Sequence, residues 1–103
     1  MLHSTLVVAI AVLGSSLAAA QTAPPQLARS LAATCANCHG TNGASAGGTA
    51  SLAGMPSAEI VASMAAFKTG SRNATIMHQL AKGYTDEQIA LIAGWFAAQR
   101  PAR

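Results

Sequence analysis

Cys35-Ala36-Asn37-Cys38-His39 is the stretch on which the reading of this chain turns. Two thiols at this spacing can each add across one vinyl group of a haem. The residue after them is an imidazole that can ligate the iron from the same side. C-x-x-C-H is the attachment signature of a covalently bound haem c. It makes Cys35 and Cys38 the expected thioether donors and His39 the expected proximal ligand. Two other uses of the cysteines compete. A thioredoxin-like C-x-x-C needs a βαβ setting, and the chain has no convincing strand pattern. Structural zinc needs a closed tetrahedral set, and only His78 is left to join Cys35, Cys38 and His39.

Upstream, residues 6–17 form an apolar run interrupted only by Gly14, Ser15 and Ser16, and Ala18-Ala19-Ala20 precedes Gln21. This is a signal-peptide pattern with a small-residue cleavage site after Ala20. The run falls short of the roughly 18–20 apolar residues that a membrane span needs. Residues 1–20 are therefore expected to direct export to the periplasm and to leave no span once removed. Exported cysteines usually pair. Haem is attached after translocation, so compartment and motif agree. Residues 21–25 read as a linker and 26–103 as a single haem-binding domain, which is all that 103 residues accommodate.

The net charge of +3 comes from Arg29, Lys68, Arg72, Lys82, Arg100 and Arg103 against Glu59, Asp86 and Glu87. These cations form no dense run, which argues against a nucleic-acid partner.

The periodicity is helical throughout. Residues 26–35 carry Leu27 and Leu31 among alanines, while Pro24-Pro25 precludes a helix before them. Residues 40–48 are loop by composition. Ser57 is the expected N-cap of a helix whose face is Ile60, Met64 and Phe67, with Val61 beside them, and Gly70 is its expected stop. Residues 74–81 read as a short helix ended by Gly83. Thr85-Asp86-Glu87-Gln88 is a capping-box pattern that opens a last helix striped by Ile89, Ile92 and Phe96, widened by Leu91 and Trp95. The fold class is all-α.

Four residues compete for the distal side of the iron: Met55, Met64, Met77 and His78. Met64 sits on an apolar stripe, the ordinary place of a core methionine. Met55 follows His39 by only sixteen residues. Met77 lies thirty-eight residues on, past the intervening helix, with enough chain to return over the opposite haem face. Its neighbour His78 is the rival, since imidazole also binds iron well. Met77 is the expected ligand.

These residues resemble a class I c-type cytochrome from Leu27 to Gln99. The resemblance rests on Cys35-Ala36-Asn37-Cys38-His39-Gly40, on Phe67-Lys68-Thr69-Gly70-Ser71-Arg72 leading to Met77, and on Gly83-Tyr84-Thr85-Asp86-Glu87-Gln88-Ile89-Ala90 leading to Trp95-Phe96. It implies three to five helices wrapped around one covalent haem, with Met77 as distal ligand and Trp95 at the crossing of the terminal helices. Residues 66–90 are similar to the cytochrome subunit of flavocytochrome c sulfide dehydrogenases, which implies a flavoprotein dehydrogenase partner. The chain departs from such proteins at Gly48-Thr49-Ala50-Ser51, where a proline usually lies near the carbonyl that holds the proximal imidazole. The acceptor for the His39 ring N–H is thus left open.

The function that follows is single-electron transfer, with the chain no enzyme on its own. A free shuttle between respiratory complexes is the alternative. A haem enzyme or gas sensor would need an open distal site. With so many alanines the domain has little core of its own, and a seated haem contributes on the order of 10 kcal/mol of apolar burial. The chain without haem should therefore show no cooperative melt by circular dichroism.

Overall fold

The computed structural model describes residues 23–103, so the segment read as a signal peptide, with its cleavage site, lies outside the described residues. Five helices in chain order make up the fold: α1 (Pro25–Ala33), α2 (Ala36–His39), α3 (Ser57–Thr69), α4 (Met77–Leu80) and α5 (Asp86–Ala97). Two single 3-10 turns, Thr41–Gly43 and Ala81–Gly83, follow α2 and α4. No strand occurs among the described residues. The all-α reading holds, and a βαβ setting for the cysteines is absent from this part of the chain.

The first helix begins at Pro25, one residue earlier than the expected boundary between linker and domain. Proline suits the first helical position because its missing N–H has no intrahelical partner there. The helix stops at Ala33 instead of running through Cys35. Thr34 turns its hydroxyl back to the Leu31 carbonyl at 2.8 Å, and the Cys35 N–H reaches only to Ala32, 3.0 Å away. That tightening separates α1 from the short turn carrying the cysteines.

In α3 the expected cap is off by one residue. Pro56, at φ −54° and ψ 133°, is the last non-helical residue, and its carbonyl accepts from Glu59 and Ile60. Ser57 is already helical and makes no capping bond. Ile60 and Met64 are buried and Phe67 packs against them, but Val61 is 41% exposed. One residue round a helix is a turn of about 100°, which carries Val61 off the face that α5 covers. Gly70 ends the helix in the left-handed conformation, as expected.

The helix read over residues 74–81 is shorter than that. It starts at Met77, because Ile76 at φ −140° stands outside helical geometry, and it passes into a 3-10 turn at Ala81. Thr75 and Ile76 are both β-branched, which weakens the helix at its intended start.

The last helix matches its reading. The Thr85 hydroxyl accepts from the Gln88 N–H at 3.1 Å, and the Gln88 side chain accepts from the Thr85 N–H at 2.9 Å. Helix α1 crosses α5, α3 packs along α5, and α4 lies on α3. Between them Ala32, Ile60, Met64, Ile89, Ile92 and Phe96 form the centre of the core. Trp95 stands at the α1–α5 crossing beside Arg29, Ala32 and Ala33 but is only partly buried. Phe96, 1% exposed, is the aromatic that the crossing encloses.

Replacing Thr85 with Ala should lower the stability of the haem-loaded protein by about 1 kcal/mol in denaturant titrations. Thr85→Ser should restore most of it.

Candidate functional site

Cys35 and Cys38 lie one helical turn apart and are not bridged to each other. Cys38 is exposed, whereas Cys35 is half-buried against the core. Burial pushes the Cys35 thiol up, with the Thr34 hydroxyl and a backbone hydrogen bond pulling weakly the other way.

His39 ends α2, and its Nδ1 lies 2.7 Å from the carbonyl oxygen of Ala50. A carbonyl can only accept, so Nδ1 carries the proton and donates it. The lone pair is then on Nε2, the other side of the ring, as a metal ligand requires. Ala50 supplies the acceptor that the absent proline left unidentified. The loop around it is pinned from both sides. The Gly43 carbonyl accepts from the N–H groups of Leu52 and Ala53 at 2.8 and 3.2 Å, and the Ser45 N–H donates to the Ser51 hydroxyl at 3.0 Å. Gly40, at φ +85°, turns the chain from α2 into this loop. A side chain there would run into the Ala44 carbonyl. Glycine meets both demands, the positive φ and the missing Cβ.

The four candidates for the distal side separate in space. Met64 is 7% exposed inside the core. Met55 and Met77 pack against the core from outside it, as Cys35 does. Met77 is the first residue of α4, flanked by Ile76 and Leu80, which are 54% and 45% exposed. His78 turns its Nδ1 into a buried position with no hydrogen-bond partner. It shares a cavity of about 250 Å³ with Arg72, Asn73, Ala74 and Gly70. Among the described residues no three His, Cys, Asp or Glu side chains come together as a metal cluster. The set Cys35, Cys38, His39 and His78 therefore does not assemble for zinc.

Three polar contacts near the site gave no signal in the sequence. The Tyr84 hydroxyl lies 2.8 Å from the Thr34 hydroxyl, the Lys68 ammonium donates to the Tyr84 carbonyl at 2.6 Å, and the Arg72 guanidinium lies 4.8 Å over the Phe67 ring. The Ala50 acceptor also went unseen, since a backbone carbonyl leaves no mark on residue type.

The cytochrome c family model matches residues 26–97. The chain belongs to the cytochrome c family. It is 46% identical over 66 residues to the cytochrome subunit of sulfide dehydrogenase from Chlorobaculum tepidum, covering 64% of this chain and 60% of that protein. A thiosulfate dehydrogenase electron acceptor from Thiomonas intermedia is 32% identical over 102 residues, 93% of this chain and 45% of the relative. Cytochrome c-554(548) of Halomonas halodenitrificans is 37% identical over 73 residues, 64% of this chain and 84% of the relative. The chain thus spans 60% and 45% of the first two relatives. It is a class I c-type cytochrome similar to the first of them, and its cofactor is covalent haem c.

The cysteine turn fits that cofactor. It offers two unbridged thiols and, next to them, an imidazole whose Nδ1 is already committed to a carbonyl.

Gly40→Ala should displace the loop that holds Ala50 and lower the yield of haem-loaded protein severalfold. The check is haem absorbance per polypeptide after expression with the attachment machinery.

Proposed function

We propose that this cytochrome is an exported, periplasmic single-electron carrier that serves as the cytochrome subunit of a flavoprotein sulfide dehydrogenase. Cys35 and Cys38 would hold the haem as thioethers, and His39, through Nε2, and Met77 would ligate the iron. The observation that carries this reading is the His39 Nδ1 to Ala50 contact of 2.7 Å, which leaves Nε2 free beside two unbridged thiols.

When bound, haem c supplies a one-electron iron couple. The protein's part is to fix its ligands and to exclude competing ones. The Ala50 carbonyl orients the His39 ring and raises its basicity as a ligand. The thioether of Met77 is soft and neutral, so it favours the reduced iron and raises the potential relative to two imidazoles. With His39 and Met77 both committed to a bound haem, no ligand position would be left for substrate, which suits a carrier and not an enzyme acting alone. Met64 is engaged in the core, and His78 lines the cavity beside Arg72.

Export rests on the N-terminal apolar run and its small-residue cleavage pattern. Among the described residues no helix is long and apolar enough to cross a membrane. The subunit role is supported by the 46% identity to the sulfide dehydrogenase cytochrome subunit. A free shuttle is the second reading, favoured by the match over 84% of the length of cytochrome c-554(548). Purification from the native source separates the two: a flavin-containing partner should come down with the subunit, and a lone monohaem protein would mark the shuttle.

Met77→Ala should lower the reduction potential, abolish the weak near-infrared band of iron–thioether bonding, and open the reduced protein to carbon monoxide at neutral pH. His78→Ala should do none of these. Prompt carbon monoxide binding to the unaltered protein would refute the carrier reading, and an unchanged band in Met77→Ala would exclude Met77 as ligand.

A further inference from the structure

Tyr84 closes the segment that carries Met77, between the turn Ala81–Gly83 and the Thr85 cap of α5. Three of its groups are tied. Its N–H donates to the Ala81 carbonyl at 3.3 Å, its carbonyl accepts from Lys68 at 2.6 Å, and its hydroxyl lies 2.8 Å from the Thr34 hydroxyl. The direction of the last bond follows from counting protons. Thr34 has one hydroxyl proton and gives it to the Leu31 carbonyl at 2.8 Å, so the Tyr84 hydroxyl is the donor between the two.

Thr34 is the residue immediately before Cys35, and Lys68 stands in the last turn of α3. Three segments distant in sequence therefore meet at Tyr84: the turn that bears the cysteines, the end of α3, and the stretch that bears Met77. That stretch is also held by α3, on which α4 lies, and by Ala81, which is buried in the core. Helix α4 has four residues, too few to be stable alone.

We propose that Tyr84 is a positioning residue, its hydroxyl on Thr34 and its carbonyl on Lys68 clamping the Met77 segment to the cysteine turn and setting how firmly the sixth ligand stays on the iron. The inference rests on the ligation by Met77 proposed above. An external ligand competes only when the segment opens, so its apparent affinity reports the open fraction. A hydrogen bond of ordinary net strength corresponds to about a fivefold change in that fraction.

The test is an imidazole titration of the oxidised, haem-loaded protein, followed by absorbance. Tyr84→Phe should raise imidazole affinity about fivefold, and Thr34→Val, which also removes the bond to the Leu31 carbonyl, at least as much; the double variant should do no more than Thr34→Val alone, because Tyr84→Phe removes only the bond the two residues share. Thr34→Ser keeps the hydroxyl and should restore the unaltered affinity. Gln99→Leu removes a bond of similar length, from Gln99 to the Trp95 carbonyl at 2.8 Å, at the far end of α5. It should lower the melting temperature without moving imidazole affinity. Unchanged affinity in Tyr84→Phe, or single effects that add, would overturn the proposal. The two readings fail separately. A persistent near-infrared band in Met77→Ala removes the ligand assignment, whereas the clamp falls if amide exchange over residues 77–83 in Tyr84→Phe matches that of the unaltered protein.

Discussion

The Ala50 carbonyl commits one nitrogen of His39, and the rest of the site depends on that commitment. An untethered imidazole can present either nitrogen and rotate about two bonds. Bonded through Nδ1, it offers only Nε2, in one orientation. The loop that delivers the carbonyl is built for little else. It leaves α2 through a glycine that no other residue can replace without a clash. It is then pinned by two N–H groups on the Gly43 carbonyl. The backbone thus performs, with an alanine, what related chains achieve near a proline.

The second constraint is scarcity of core. Alanines at 32, 53, 81 and 93 make up much of what is buried, and Phe96 is the largest side chain fully enclosed. Small residues let α1 and α5 cross closely, but they contribute little apolar area. A haem seated against Cys35 and Met77, both of which already pack on this cluster, would extend it. In the proposed arrangement, stability and redox activity draw on the same contacts.

Much of this was legible in the sequence where a local rule acts alone. The Thr85–Gln88 capping box and the left-handed Gly70 need only neighbours along the chain, and both formed as read. The C-x-x-C-H run was legible because its chemistry is carried by side chains at fixed spacing. The misread positions are those decided across the fold. Val61 looked like a core residue until α5 was seen to cover only the side of α3 bearing Ile60 and Met64. Of the two aromatics at the helix crossing, Phe96 is fully enclosed and Trp95, which stands there as expected, only partly so. The Ala50 acceptor and the Tyr84–Thr34 bond join positions eleven and fifty residues apart, and residue type signals neither.

Phase also bears on the rivalry between Met77 and His78. Consecutive residues of a helix point about 100° apart, so α4 cannot present both to one iron. Met77 packs on the cluster that Cys35 also touches, while His78 faces the cavity of Arg72 and Asn73. Rotating α4 to bring the imidazole round would pull Met77 away from the core it packs against. It would also break the register that lets the Ala81 carbonyl accept from Tyr84, the first link to Thr34 and the cysteine turn. An imidazole is the stronger donor to many metals, yet this segment can offer it only by undoing its own anchorage. On that ground the proposed ligation by the thioether fits this segment better than ligation by the imidazole of His78.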